Sequence, residues 1–508
     1  ILFVEAIKAS LKLVRDQGIE IGFKDLGAGG VACASVELAE TSGYGAEIWM
    51  EKIHIGMPGL HPSVYLCSET QERFMWVCPK EISPIILKHY NDSFDFPRVS
   101  QGAMASIVGK IRDDGQYIVH NGPEEIVNAQ ASQVTKGFLY DRPYEMREED
   151  FSEPDLPEPF DYDKILLDIL SHENMASREP IYEKYDKQVQ GRVYRETGEA
   201  DSGVLAPFNS ESYPKEIRKT GIALSTDHNP RHGILSPYWC GVNAVVESMR
   251  NVAAVGATPH AITDCLCFGN PEKPHQMWEF VESTRGIADA CNTITLKDHP
   301  DKSTPIIAGN VSFYNESING PIPASPIVSC LGKLDDITKS VPMCFQKTDS
   351  IILMIGERKN ELGGSIYYSL YNEIGANIPK PNLERTKNEI FGVTDLADKR
   401  LTRSCHDISD GGLVAAIAEM TFKNNIGCSV SIKSSMSPEK VFFSETGGFI
   451  LEISPNNIKD VKSKLETSGV NAFEIGTTGG ENISINQLIN LPVSIAKNAW
   501  ENGLRNKI

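Results

Sequence analysis

Val4, Ile7, Leu11 and Val14 fall three or four residues apart, so the chain opens on an amphipathic helix from Ile1 to about Asp16. A short apolar segment, Ile19 to Phe23, then runs into Lys24-Asp25-Leu26-Gly27-Ala28-Gly29-Gly30 and a second helix with Val31, Ala34 and Leu38 on one face. The same succession returns near the end of the chain. His406-Asp407-Ile408-Ser409-Asp410-Gly411-Gly412 aligns with the first segment at an offset of 382 residues, followed by a helix carrying Leu413, Ala416, Ile417 and Met420. Glu37 and Glu419 keep that offset. Ser68-Glu69-Thr70-Gln71 aligns with Ser444-Glu445-Thr446-Gly447 at an offset of 376, each ahead of an apolar strand, Phe74 to Val77 and Phe449 to Ile453. Ile107-Val108-Gly109 and Glu474-Ile475-Gly476 mark a late strand in each. Two copies of one domain are therefore expected, at 1–145 and 342–508.

Residues 146–176 are rich in Pro, Glu and Asp, include a helix around Ile165 to Leu170, and read as a linker. The block 177–341 has a different pattern, with strands at Gly221 to Thr226, Pro259 to Asp264, Pro305 to Ala308 and Ile327 to Leu334. Helices are expected at Gly241 to Val255 and Pro274 to Ala290. Strands alternating with helices predict an α+β or α/β sandwich. If the outer blocks are copies, the middle block should have a copy too, placed ahead of Ile1. The expectation is an A-B-A-B parent of which this chain is B-A-B, the first A domain being absent.

Composition narrows the function classes. The formal charge of −19, from 68 acidic and 49 basic residues without a basic run, argues against nucleic acid or an anionic membrane as partner. No apolar run approaches the ~18 residues of a membrane span. The opening Ile1-Leu2-Phe3-Val4 is interrupted by Glu5, Lys8 and Lys12, unlike a signal peptide, so the cytoplasm is expected. Eleven scattered cysteines, with Cys265-Leu266-Cys267 the only close pair, suggest neither a disulfide framework nor a zinc site. None lies in a Gly-x-Cys-x-Gly elbow, so the chain is not expected to hydrolyse glutamine.

Several polar sets carry candidate chemistry. Around Asp25, three glycines between a strand and a helix let backbone amides approach an anion while the carboxylate holds a cation, which suits phosphate with Mg²⁺. A tight turn with Asp as a helix cap explains the same residues. Ser68 to Gln71 can hydrogen-bond a polyhydroxylated or amide-bearing ligand, or form a solvated turn before a strand. Gly447 replaces Gln71 in the second copy, so the two would not bind alike. Glu247 and Asn251 share a helix face, as metal ligands or as ordinary surface. Asp264 ends one apolar strand and Gly309-Asn310-Val311-Ser312 ends another, and strand ends are common ligand sites. Thr226 to Arg231 is a third polar loop, in which His228 reads as a structural or surface residue rather than a base.

As an ordered set, Lys24 to Gly30, Ser68 to Arg73, Asn251 to Ala257, Ala261 to Leu266 and Gly309 to Ser312 resemble the large subunit of phosphoribosylformylglycinamidine synthase. The likeness is to the short type that works with a separate glutaminase, within the aminoimidazole ribonucleotide synthetase superfamily, and covers essentially the whole chain. It implies the superfamily's duplicated A-B architecture, present here as B-A-B. It also implies an ATP-dependent C–N ligase of de novo purine synthesis. ATP phosphorylates the formamide oxygen of formylglycinamide ribonucleotide, and ammonia displaces phosphate to give formylglycinamidine ribonucleotide, with Mg²⁺ offsetting polyphosphate charge. The resemblance makes Asp25 and Asn310 Mg²⁺ ligands, Glu69, Thr70, Gln71 and Ser312 substrate contacts, and Asp264 and Gly309 ATP contacts. Asp227, Glu247, Asn251 and Asp407 resemble an auxiliary metal-nucleotide pocket of larger members, vestigial or occupied. The family's catalytic histidines belong to the first A domain, so no catalytic residue is expected here and the fragment alone should be inactive. The implied partners are a glutaminase subunit and a small bridging subunit. Thr70 departs from the usual Ser and Cys267 from the commoner Asn. Rival readings are another ATP-dependent enzyme of the superfamily, which normally carries one A-B unit, or a non-catalytic nucleotide-binding scaffold of a glutaminase complex.

Overall fold

The apolar stripe of the first sixteen residues forms α1 (Leu2–Asp16), with Ala6 and Val14 buried. In the computed structural model, which describes residues 2–70, 72–137, 139–148 and 150–508, the chain divides into two compact units, Ile1–Asp141 and Arg142–Ile508. In the first, β1 (Gly22–Asp25) leads into α2 (Gly30–Glu40) and β2 (Gly45–Trp49). Then come β3 (Phe74–Val77), β4 (Gly109–Arg112), β5 (Gln116–Asn121) and β6 (Glu124–Gln130). The strands form two sheets, β1-β3 and β4-β2-β5-β6. Val31 and Ala34 of α2 and Ile48, Tyr117 and Val119 of the larger sheet share one core.

The second unit begins its secondary structure inside the segment read as a linker. Asp161 caps α3 (Tyr162–Leu170), its carboxylate accepting from the Lys164 N–H at 2.9 Å. Leu166, Ile169 and Leu170 are fully buried in the same core as Phe442 and Phe443, so this helix belongs to the body of the last block. Leu166→Ala should therefore cost about 2–5 kcal/mol, as for other fully buried leucines. A urea unfolding midpoint unchanged from the parent would show that α3 is only laid on the surface.

The next strands are β7 (Val193–Arg195), β8 (Gly203–Leu205) and β9 (Gly221–Asp227), followed by α4 (Pro237–Ala254), β10 (Thr258–Cys267) and α5 (Pro274–Thr293). With β11 (Ile306–Ser312) and β12 (Ser325–Leu334) they give a six-stranded sheet in the order β11-β10-β12-β9-β8-β7. β11 is its exposed edge, parallel to β10. β7 and β8 were not foreseen, because three residues are too few to show a period.

The last block holds β13 (Ile351–Ile355), α6 (Leu383–Asp398), β14 (Thr402–Ile408), α7 (Gly412–Phe422) and β15 (Cys428–Val430). It continues with β16 (Gly448–Ile453), β17 (Ala472–Thr478), β18 (Asn482–Ile485), β19 (Ile489–Pro492) and α8 (Val493–Gly503). Its seven-stranded sheet runs β14-β16-β13-β17-β15-β18-β19. The repeat in sequence is a repeat in topology. β14 pairs β16 antiparallel as β1 pairs β3, and β17-β15-β18-β19 reproduces β4-β2-β5-β6 in order and in strand direction. Asp407 stands opposite Phe449 as Asp25 stands opposite Phe74. One difference remains: β13 joins the two halves of the second sheet, while among the described residues the first copy's sheet stays split at that place. Helix α4 is buried nearly all round, with Val242, Val245, Met249 and Val252 fully enclosed in a core shared by the middle block and β13, β14 and β16. A helix so enclosed must bring its polar residues, Glu247 and Arg250, into the interior of the second unit.

Candidate functional site

The turn that opens α7 fixes the site. Gly411 and Gly412 both adopt left-handed backbone, φ 74 and 75, and a Cβ on Gly412 would lie 2.6 Å from the Phe442 carbonyl oxygen. Gly29 and Gly30 repeat the conformation, φ 75 and 53, and a Cβ on Gly30 would lie 2.7 Å from the Leu66 carbonyl. In each copy the turn thus rests on the chain just ahead of the Ser-Glu-Thr motif. An L side chain fits neither place.

Just before the turn the two copies carry the same bridge in different residues. Lys24 is paired with Glu37, and His406 Nε2 donates to Glu419 at 3.2 Å. His406 Nδ1 also lies 2.9 Å from Asp201, whose other oxygen accepts the Asp407 N–H at 2.8 Å. Burial disfavours the charged ring, but the two flanking carboxylates outweigh it and hold the His406 pKa well above the ordinary value. Ligand atoms of Asp201, His406 and Asp407 lie within 4.8 Å of one another, and the raised pKa makes the His406 ring a second Lys24 in its bridge to the helix glutamate.

Four carboxylates then gather around one guanidinium. Arg250 Nη2 lies 3.6 Å from Glu247 and Nε 3.7 Å from Asp407, and its side chain is 6% exposed. Asp227, at the end of β9, and Asp410 complete the group. Burial together with the charges of Asp410 and Asp407 pushes Asp227 up to about 8. Burial and Asp201 push Asp407 up to about 7, and burial raises Asp410 to about 6 and Glu247 well above its usual range. Asp407 Oδ2 and Arg250 Nε are buried without a hydrogen-bond partner. Burial and mutual repulsion of the carboxylates thus outweigh the attraction of Arg250, a condition that a divalent cation relieves. The cavity beside it is walled by Asn243, Glu247, Arg250, Asp410, Glu445 and Gly447. Gly447 leaves room for Arg250, since a Cβ there would lie within 3 Å of the guanidinium and displace it.

The residues expected from sequence fall out as follows. Asp227, Glu247 and Asp407 come together, with Glu247 alone of the three on the cavity wall, while Asn251 sits a turn beyond Glu247 on α4. His228 is not a base poised at neutral pH, because burial pulls its pKa down to about 4. Asp264 and Gly309 are cross-strand partners, and the Asp264 carboxylate occupies the space where a Gly309 Cβ would stand, so the two share one face of the sheet. Burial raises the Asp264 pKa. Strand alternation puts Asn310 and Ser312 on the opposite face. In the first unit Asp25, Glu69 and Thr70 are exposed, and Gln71 lies outside the described residues. In the second copy the counterparts are covered. Glu445 accepts from the N–H groups of Gly411 and Ile366, both at 2.8 Å, and Thr446 donates to Glu361 at 2.7 Å. The segment around Ile366 and Glu361 that covers them has no counterpart among the described residues of 1–141.

Asp201, Arg250, Asp410 and Glu445 were missed. Glu445 was reachable as the repeat of Glu69, and Asp410 lies in the aligned segment itself. Asp201 sits in a turn with no periodicity to mark it. His232, also on the cavity wall, is 5% exposed with its pKa driven down to about 3 by burial. The folded chain then refuses a proton that the unfolded chain takes up below about pH 6.5. His232 should therefore remove about 1.4 kcal/mol per pH unit as pH falls from about 6 toward 3. Urea midpoints at pH 7, 5.5 and 4.5 should show a shallower decline for His232→Gln; equal declines would refute the assignment.

Residues 201–334 match the family model described as AIR synthase related protein, N-terminal domain, and 4–89 and 347–486 match that of its C-terminal domain. One N-terminal-type domain is thus flanked by two C-terminal-type segments, in a mixed α/β fold. Phosphoribosylformylglycinamidine synthase subunit PurL of Methanothrix thermoacetophila is 42% identical over 502 residues, 97% of this chain and 64% of the relative. The subunit of the same name from Thermoanaerobacter pseudethanolicus is 31% identical over 515 residues, 98% and 66% of the two chains. The chain therefore spans 64% and 66% of the length of these relatives. Among solved structures, PurLQS from Thermotoga maritima superposes with a TM-score of 0.62 at 20% identity, over 94% of this chain and 66% of that one. T. maritima PurL complexed with FGAR gives 0.58 at 19% identity, over 94% and 64%. Among the described residues no helix is long and apolar enough to cross a membrane.

Proposed function

The chain belongs to the AIR synthase related protein family, and from that membership we propose that it is the B-A-B part of a phosphoribosylformylglycinamidine synthase. The activity is the ATP-dependent amidation of formylglycinamide ribonucleotide through a phosphorylated amide, in purine synthesis in the cytoplasm. The observation that carries this reading is the 42% identity to a PurL subunit across 97% of the chain. A glutaminase subunit and a small bridging subunit would supply ammonia.

In the first unit, Asp25 is the proposed Mg²⁺ ligand, beside a glycine turn and the N-terminus of α2, where backbone N–H groups favour a phosphate. Glu69, Thr70 and Gln71 are the proposed substrate contacts there. In the second unit, Asp264 and Gly309 would contact ATP, Asn310 would bind a second Mg²⁺ and Ser312 would contact substrate. No residue of this chain is assigned as the catalytic acid or base. The work of these groups is to bind and orient, which suits phosphoryl transfer, where positioning and charge stabilisation dominate.

The auxiliary pocket fits a metal by its own chemistry: Asp407 has an orphaned buried oxygen, and burial raises the pKa values of Asp227, Glu247 and Asp410, which a bound cation would lower again. Asp227, Glu247 and Asp407, with Asn251 beyond them, would hold Mg²⁺, which when bound screens a nucleotide polyphosphate. Such a nucleotide, enclosed within the second unit, would act as a structural support.

The test has two arms. Calorimetry of this chain with ATP or ADP should show binding that requires Mg²⁺ and is lost in Asp407→Asn. Ammonia-dependent ADP release from formylglycinamide ribonucleotide and Mg-ATP should appear in the complete gene product and not in residues 1–508 alone. Nucleotide binding with no such release in the complete product would replace the enzyme by a scaffold.

A further inference from the structure

Cys265 and Cys267 end β10 two residues apart, so their side chains leave the same face of the sheet. Their sulfurs are 3.9 Å apart. Both residues are half-buried, whereas Cys240, Cys291, Cys330, Cys344, Cys405 and Cys428, the other cysteines of the second unit, are all buried. These two are therefore the thiols of that unit within reach of a solute.

Strand geometry decides what such a pair can do. Two residues of strand advance about 6.6–6.8 Å, while a disulfide needs its Cβ atoms about 3.5–4.5 Å apart. β10 is held on both sides, by β11 and by β12, and cannot buckle to close that difference. The pair is thus kept as two separate thiols. Chelation has the opposite requirement. A tetrahedral ion with two thiolates at about 2.3 Å sets its sulfurs about 3.8 Å apart, close to the spacing found.

We propose that Cys265 and Cys267 form a bidentate site for a thiophilic divalent cation of the Zn²⁺ and Cd²⁺ class. Binding breaks two S–H bonds, forms two metal–sulfur bonds and releases two protons to solvent, with no electron transferred. The strand register places Cys265 opposite Asn310 and Cys267 opposite Ser312. The ion would therefore share a sheet face with the two residues proposed above to bind Mg²⁺ and substrate. Hard oxygen donors and soft sulfur donors stand side by side, so Mg²⁺ and a thiophilic ion would divide between them by ligand type.

The site does not depend on the proposed activity, and its test needs no nucleotide. The reduced, metal-free chain is titrated with Cd²⁺, following thiolate-to-cadmium charge-transfer absorbance, with Zn²⁺ as competitor. The parent is compared with Cys265→Ser, Cys267→Ser and, as control, Cys67→Ser, whose cysteine is exposed in the first unit. Circular dichroism and thermal midpoints confirm that each variant is folded. Loss of an outer-shell partner already weakens metal sites by about 10–100-fold, so loss of either sulfur should weaken binding by more than that. Cys67→Ser should bind as the parent does. Unchanged affinity in Cys265→Ser or in Cys267→Ser, or an equal loss in Cys67→Ser, would overturn the assignment.

Discussion

Arg250→Met is expected to destabilise the second unit by about 3–5 kcal/mol, the cost of removing one partner from a buried charge group. Methionine approximates the length of the side chain, so the loss reports charge more than volume. Arg250 is the cation that Glu247 and Asp407 face at 3.6 and 3.7 Å, and Asp227 feels its charge as well. Without it Asp227 and Glu247 lose the cation beside them, and Asp407 is left with His406. They must bind protons, admit water or separate, and each response costs folding free energy. The measurement is urea unfolding at pH 7.5, with and without Mg²⁺. Mg²⁺ should raise the midpoint of the variant more than that of the parent, because the ion then has the carboxylates to itself. A variant as stable as the parent would mean that Arg250 is not the internal counter-ion. Gly447→Gln, which installs the residue found at the matching place in the first copy, should reproduce part of the loss by displacing the guanidinium.

Gly412→Ala should be more damaging, at about 4 kcal/mol or beyond, a range reached by only a few mechanisms. Two of them act at once. Left-handed backbone costs an L residue about 1–2 kcal/mol. The new Cβ would also lie 2.6 Å from the Phe442 carbonyl oxygen and 2.8 Å from Phe443 Cα, atoms of main chain that cannot rotate away. Gly480→Ala separates the two effects. Its φ is 76 but nothing lies within 4 Å, so it should show the conformational cost alone. Gly30→Ala should do to the first unit what Gly412→Ala does to the second. Thermal midpoints of the three variants decide. Near-equal losses for Gly412→Ala and Gly480→Ala would mean that the close approach of the turn to the following motif is not what requires glycine.

What could be read in advance was whatever the chain states twice or in a long period. The repeated Asp-turn-helix segment located both copies, and α5 was expected from Pro274 to about Ala290 against an observed end at Thr293. The gathering of Asp227, Glu247 and Asp407 came from resemblance, not from spacing, because these residues lie on β9, α4 and β14, and only packing joins them. Arg250 was passed over because on a helical wheel it looks like one more surface charge; the enclosure of α4 on every side makes it interior. A helix around Ile165 to Leu170 was expected and is there as α3, but the polar composition of 146–176 masked its place in the core of the last block, where five of its residues are buried. The exposure of Glu69 beside the burial of Glu445 had no local signal either, since what covers the second copy is a segment some eighty residues upstream of it in the chain.

The split sheet of the first unit has a practical side. Where β13 hydrogen-bonds on both flanks to β16 and β17 in the second copy, no strand joins β3 to β4 among the described residues of the first. Phe74 and Ile111 on those strands, and Ile107 just ahead of β4, are all more than one-third exposed. Unpaired backbone beside exposed apolar side chains is a template for strand addition. Preparations of residues 1–508 should accordingly self-associate through this seam as concentration rises, and a short synthetic strand patterned on Ile351–Ile355 should compete with that association and keep the protein dispersed.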